Sequence, residues 1–385
     1  MADDTEANRE RGIFIMIYLD YAAHTPVCDE VLKSFEEAAR DFTGNPNSPH
    51  TPGVMAKKRL EEATENIAKI LSAKKEEIIY TSGASESNNL AIKGIAKSYQ
   101  RYGKHIITSF LEHASVTGPV AALKNEGYEV DFVNINKDGS VDLEHLKELL
   151  RDDTILVSIA CVDSEIGAIQ PIDKIYELVK TKPHCFFHVD ATQAVGKIPV
   201  SFQNMDLMTL SGHKIYGITG IGVLLKKEQI MLEPLIHGGL STTSFRSGTP
   251  ALALCVSLES ALAYTTGHLE EFYDKVREKN LLLRRALEKN KNIVINTPED
   301  GSPFILNLSL KGVNTNALQA ALDEKGICVA TKSACCAVNT VSKPVYAMTK
   351  DKKLSLATLR ISLSHMTTAE EIERFLDVFL EAIKG

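Results

Sequence analysis

The sequence predicts an α/β fold: a large domain on a mostly parallel, seven-stranded sheet, and a smaller α+β domain after it. Three observations predict it. Short apolar runs rich in Ile and Val alternate with amphipathic stretches as far as residue 225. Beyond Pro250 the apolar pattern lengthens and takes a helical period. At 385 residues the chain is also too long for one small core.

The elements follow in order. Strands are expected at 78–80, 105–108, 129–133, 155–160, 185–189, 206–210 and 222–225. Helices are expected between several of them, at 88–102, 117–125, 143–150 and 174–180. Such alternation argues for a sheet covered on both faces, with ligands gathered at the carboxyl ends of its strands. A long helix is expected from Ala251 to about Asn290, then strands at 293–296 and 304–309 and a helix at 316–325. A last strand at 358–362 precedes a helix whose start, Thr368 with Glu371 three residues on, fits a capping box. These place the large domain at 24–250 and the small one at 251–385, joined by the segment 1–23.

Composition narrows the function. The chain is 44% hydrophobic and 24% charged with a net charge of -7, so nothing favours a nucleic acid or an anionic membrane as partner. No apolar run reaches the ~20 residues that span a bilayer. The run 13–17 is too short for a signal-peptide core, so the cytoplasm is the expected location. Seven scattered cysteines without a CxxC pair give no metal site. Cys28, Cys161, Cys185, Cys255 and Cys328 read as small core residues.

Several motifs stand just after strands. Lys214, in SGHKIYGITGIG, ends a strand and opens a glycine-rich turn. Its amine suits a bond to a carbonyl, with neighbouring donors for a phosphate. A surface lysine beside a turn is the bland alternative. Asp190, in HVDATQ, follows a buried run and calls for a charged partner or a capping role. A protonated pyridine nitrogen is such a partner, with Gln193 a donor to the ring oxygen. The loop TSGASESNN opens a helix with small residues and backbone N–H groups that suit an anion, Ser85 adding a hydroxyl. His113, in LEHAS, is placed to stack on a ring and move protons, or is an ordinary loop histidine.

In order, TSGASESNN, LEHAS, EIGAIQPI, HVDATQAVGKIPV, SGHKIYGITGIG, RSGT, SACC and LRIS closely resemble the cysteine desulfurases, the NifS/IscS-like group of class-V aminotransferase-like, fold-type I pyridoxal-phosphate (PLP) enzymes. YLDYAA and GNPNSPH near the start look similar, so the resemblance runs from about Tyr18 to the end. It implies pyridoxal 5'-phosphate as cofactor and Lys214 as the residue that binds it covalently. It implies His113 stacked on the ring, Asp190 on the ring nitrogen and Gln193 on the ring oxygen. Ala84, Ser85, Ser211 and His213 match phosphate ligands. Thr249 matches a residue reaching the phosphate of a neighbouring subunit, which implies a homodimer. Arg360 matches the arginine that clamps the substrate carboxylate, with Asn45 a further substrate residue. Cys335 matches the nucleophile that takes sulfur from L-cysteine as a persulfide, leaving alanine, before passing it to a protein acceptor in iron–sulfur cluster assembly or tRNA thiolation.

The sequence departs from that pattern in places. Asp163 stands where an asparagine usually donates to the ring oxygen; an ionised Asp repels that oxygen and a protonated one donates instead, so an altered cofactor spectrum or pH profile is expected. Lys332 replaces a usual glycine and is expected to lower the Cys335 pKa. Cys336 is an extra thiol, His365 replaces a common arginine, and the stretch 238–245 lacks the pattern usual before RSGT. A selenocysteine lyase or other PLP β-lyase is the alternative within the same chemistry. A catalytically silent scaffold is the alternative outside it.

Overall fold

The computed structural model describes residues 16–239, 243–332 and 340–384. Its elements run β1 (Ile17–Tyr18), α1 (Asp29–Asp41), α2 (Thr51–Ile70), β2 (Ile78–Thr81), α3 (Ala84–Tyr99), β3 (His105–Ser109), α4 (Ala114–Asn125) and β4 (Glu129–Val133). They continue through α5 (Leu143–Leu149), β5 (Thr154–Ala160), α6 (Ile172–Val179), β6 (Phe186–Asp190), β7 (Leu207–Ser211), β8 (Gly222–Lys226), α7 (Leu252–Gly267) and α8 (Leu269–Leu287). The last are β9 (Ile293–Ile295), β10 (Ile305–Leu310), α9 (Thr315–Asp323), β11 (Ile327–Cys328), α10 (Lys343–Thr349), α11 (Lys352–Leu356), β12 (Thr358–Ser362) and α12 (Ala369–Ala382).

The chain forms two compact units. The larger holds His24–Asp163 and Ile169–Leu269. Its sheet has seven strands in the order β2-β8-β7-β6-β5-β3-β4. β3 to β7 pair in parallel where they meet, while β8 runs antiparallel to both β2 and β7. Two reversals restore direction, so β2 points the same way as β7. All strands but β8 thus bring their carboxyl ends to one edge. The middle strands β5 and β7 are buried at every residue, as a doubly covered parallel sheet requires. Ile79, Leu90, Ile92, Ile106, Val116 and Ile155 form part of the core between the sheet and α3 and α4.

The smaller unit takes residues through Ala23, Ser164–Ala168 and those from Glu270 on. Its antiparallel sheet has the order β12-β10-β9, and β1 pairs with β11 in parallel. Ile17, Leu19, Leu306, Leu308, Ile361 and Phe375 belong to its core. Thr368 and Glu371 form the expected capping box of α12.

Two expectations need correction. The helix expected from 251 to about 290 is two helices that part at His268. Thr265 and Thr266 turn their hydroxyls back to carbonyls of the preceding turn, and Gly267 follows, so the last turn of α7 is weak. The expected division at residue 250 would assign α7 to the smaller domain. Instead α7 packs on α1 and α2, which buries its apolar residues inside the larger unit. Among the described residues no helix is long and apolar enough to cross a membrane.

Candidate active site

The carboxyl edge of the larger unit's sheet gathers most of the residues singled out above. Asp190 is the last residue of β6 and is 7% exposed. Asn88 Nδ2 donates to its Oδ2 at 2.8 Å, and the Thr192 backbone N–H donates to its Oδ1 at 3.0 Å. Both partners are neutral, so a buried carboxylate has donors here but, among the described residues, no lysine or arginine ion pair. A buried charge held this way favours a cationic ligand.

His113 is the N-cap of α4, reached by the loop that leaves β3. Its Nδ1 accepts from the Ser115 backbone N–H at 3.1 Å and lies 2.8 Å from Ser115 Oγ. Burial pushes this imidazole below its ordinary range, with Asp190 opposing and Lys214 adding to the effect. Both charged groups are thus within electrostatic reach of the ring. Deeper in the sheet, His188 bridges Ser158 Oγ at 2.8 Å and Thr209 Oγ1 at 3.0 Å, and burial pushes it down to about 4. It is neutral at physiological pH and ties β5 to β7 beneath Asp190.

Lys214 ends a single 3-10 turn, Gly212–Lys214, directly after β7. Thr25 holds that turn from two sides: its Oγ1 donates to His213 O at 3.0 Å and accepts from Tyr216 N–H at 2.8 Å. Tyr216 sits at a φ of 60°, a strained value for a non-glycine residue that these bonds help to hold.

The anion cradle lies alongside. Gly83 caps α3 with a φ of +149°, open only to glycine. A Cβ at Gly222 would meet Gly83 Cα at 2.7 Å and Leu210 O at 2.8 Å, so β2, β7 and β8 close up beneath the helix start. Ala84 and Ser85 supply free first-turn N–H groups. Ser211 Oγ, which a Cβ on Gly83 would approach to 3.6 Å, lies 2.8 Å from His213 Nδ1. Burial, with Lys214 beside it, pushes His213 down to about 4, so it acts as a neutral donor or acceptor. Gln193 is buried, and its Oε1 accepts from Lys197 Nζ at 2.6 Å.

Glu112 escaped the sequence reading, although it is an acidic residue directly after an apolar run. Its Oε1 accepts from Ser109 Oγ at 2.6 Å and from the Ala160 N–H at 3.0 Å, while Oε2 has no described partner. Burial, with Asp190 and Asp163 nearby, pushes its pKa up to about 8. Asp163 itself is fully buried. The folded protein thus holds a proton on Glu112 that the unfolded chain, with an ordinary carboxyl near 4.5, releases. That contribution to stability is present below about pH 4.5 and is lost as pH rises through about 8. Glu112→Gln is expected to gain on wild type toward alkaline pH, by on the order of a few kcal/mol. Urea midpoints of cofactor-free protein at about pH 5.5 and 8.5 test this; a constant difference would contradict it.

The remaining candidates lie elsewhere. Thr249 lines a small cavity with Ser82, Gly220 and Arg246 of its own chain. Asn45 is exposed, accepts from its own loop at Asn47 N–H, and lines a cleft with Thr249. Arg360, on β12 of the smaller unit, is 2% exposed. Its Nη2 meets Asp20 Oδ1 at 2.7 Å and its Nη1 donates to Ser164 O at 2.8 Å. Cys335 and Cys336 lie outside the described residues. Lys332 is buried and donates to the Thr340 carbonyl. His365 stacks on Phe272 with ring centroids 3.6 Å apart. Among the described residues no group of His, Cys, Asp and Glu is arranged to hold a metal.

The class-V aminotransferase profile matches residues 17–375. The cysteine desulfurase IscS of Dictyoglomus turgidum is 36% identical over 373 residues, 96% of this chain and 94% of that protein. The chain belongs to the class-V aminotransferase family, in its NifS/IscS-like branch. Solved structures agree. A NifS-like protein superposes with a TM-score of 0.90 at 33% identity, covering 96% of this chain and all of that one. SspA in complex with cysteine gives 0.79 at 31% identity, over 91% of this chain and 99% of its own. The class-V aminotransferase fold accounts for the six-strand parallel edge that carries Asp190, Lys214 and the anion cradle.

Proposed function

We propose that this protein is a PLP-dependent cysteine desulfurase. The observation that carries the proposal is the gathering of a buried carboxylate, an amine and an anion cradle at one edge of one sheet. These residues fit pyridoxal 5'-phosphate. Asp190 lacks a cationic partner among the described residues, a need that a protonated pyridine nitrogen meets. The start of α3 with Ser211 and His213 suits the phosphate, and Lys214 ends the turn directly after β7. When bound, the cofactor supplies a carbonyl that takes up amines and a ring that accepts electron density.

The chain's own groups do the rest. Asp190 orients the ring and keeps its nitrogen protonated. Lys214 anchors the cofactor and then, released, moves a proton at the substrate Cα. His113, within electrostatic reach of both, is the second group placed to carry a proton. Arg360, fixed by Asp20, binds the substrate carboxylate through its fork. The Cys335 thiolate takes the sulfur of L-cysteine: the C–S bond breaks with its electron pair left on the carbon, one S–S bond forms, and a proton delivered to that carbon completes alanine. Burial pushes Cys161 and Cys255 up to about 12 and Cys185 higher still, and it also raises Cys28 and Cys328. None of these five is a thiolate near neutral pH, which leaves the 335–336 pair. SspA, a structural relative, has been solved with cysteine bound. A homodimer, a protein sulfur acceptor and a cytoplasmic setting complete the reading.

The test is alanine and sulfide release from L-cysteine with a thiol reductant. Wild type is expected to release both, and Cys335→Ala to fall to background. Full activity in Cys335→Ala would overturn the persulfide route in favour of a selenocysteine lyase or another β-lyase.

A further inference from the structure

Asn88, on the buried face of α3, joins the two halves of the site. It is fully buried, and one nitrogen makes both of its contacts: Nδ2 lies 2.8 Å from Asp190 Oδ2 and 2.8 Å from Ser115 Oγ. Its Oδ1 has no described partner. Turning the amide over would set that oxygen against the Asp190 carboxylate, so the observed orientation is the one electrostatics demands. Both amide hydrogens are therefore committed. Ser115 Oγ, already accepting one, has its own hydrogen left to give. His113 Nδ1, at 2.8 Å, receives it. The Ser115 backbone N–H also points at Nδ1, at 3.1 Å, and would oppose a hydrogen there.

We propose that Asn88 is a positioning residue that couples Asp190 to His113: it orients the carboxylate and, through Ser115, fixes His113 as the Nε2–H tautomer. The unpaired Oδ1 is the cost of aiming two donors at once. The chain Asp190–Asn88–Ser115–His113 thus delivers an acceptor at the carboxylate and a hydrogen-bearing Nε2 at the imidazole. It spans three elements separated by up to 102 residues in sequence. That these two groups face one cofactor rests on the functional reading above; the tautomer does not.

The experiment is nitrogen NMR of histidine-labelled, cofactor-free protein, with His113 assigned through His113→Gln. Wild type is expected to give one tautomer, with Nδ1 in the unprotonated range and Nε2 in the protonated range. Asn88→Ala and Ser115→Ala are expected to pull the two shifts together, lowering the tautomer ratio severalfold, up to about tenfold, as loss of one directing hydrogen bond allows. Unchanged shifts in both variants would overturn the proposal. Should Asn88→Ala fail to fold, Ser115→Ala decides alone, since it removes one hydroxyl and keeps the main-chain cap. A wild type with a single tautomer that binds no pyridoxal phosphate would refute the functional reading and leave this inference standing.

Discussion

Lys214→Ala is expected to abolish alanine formation from L-cysteine, a fall of about 10²–10⁴-fold or more for a group that both anchors the cofactor and moves a proton. The fold is expected to survive. Lys214 is only half-buried, and the turn that carries it is held through the backbone by Thr25, at His213 O and Tyr216 N–H. The loss is thus chemical rather than structural. Cofactor added to the variant should wash out on gel filtration, whereas wild type keeps its visible absorbance. Activity within about threefold of wild type would mean that the amine is a bystander on a glycine-rich turn.

Asp190→Asn is the second large effect. Two donors, Asn88 Nδ2 and Thr192 N–H, converge on the two carboxylate oxygens. An asparagine offers one oxygen, so its amide end must face a donor at the other position. The negative charge that would hold a protonated ring nitrogen is lost as well. Removing one partner of a buried ion pair costs about 3–5 kcal/mol. Applied to the transition state, that is about 10²–10⁴-fold in kcat/KM. The affinity for pyridoxal phosphate should fall with it. A change in kcat/KM below about tenfold would show that Asp190 serves the loop rather than the ring.

Most of the larger unit was legible in the sequence because its strands are short apolar runs bounded by turns. β2 to β8 appear within two residues of the expected places. The reversed direction of β8 was not legible, since a strand's sequence carries no sign of its neighbour's direction. Nor was the break between α7 and α8: the apolar pattern runs on through it, and only local hydroxyl back-bonding and Gly267 interrupt the helix. Helices α1 and α2 went unread. At the site, Asp190, Lys214 and the cradle could be found because each is an unusual residue at a strand end. Asn88, Ser115, Glu112 and Thr25 could not. Asn88 looks like any polar residue near a helix start, and its role exists only because Asp190 and Ser115 fold against it. Glu112 is likewise defined by burial near Asp163 and Asp190. Roles that depend on partners distant in sequence need coordinates.

The measurement that tests the central claim most directly is mass spectrometry of the peptide bearing Cys335, taken after a short incubation with L-cysteine and trapping of thiols. One additional sulfur on Cys335, matched by an equivalent of alanine and absent in Lys214→Ala, is the expected result. Alanine formed while Cys335 stays unmodified would contradict the account.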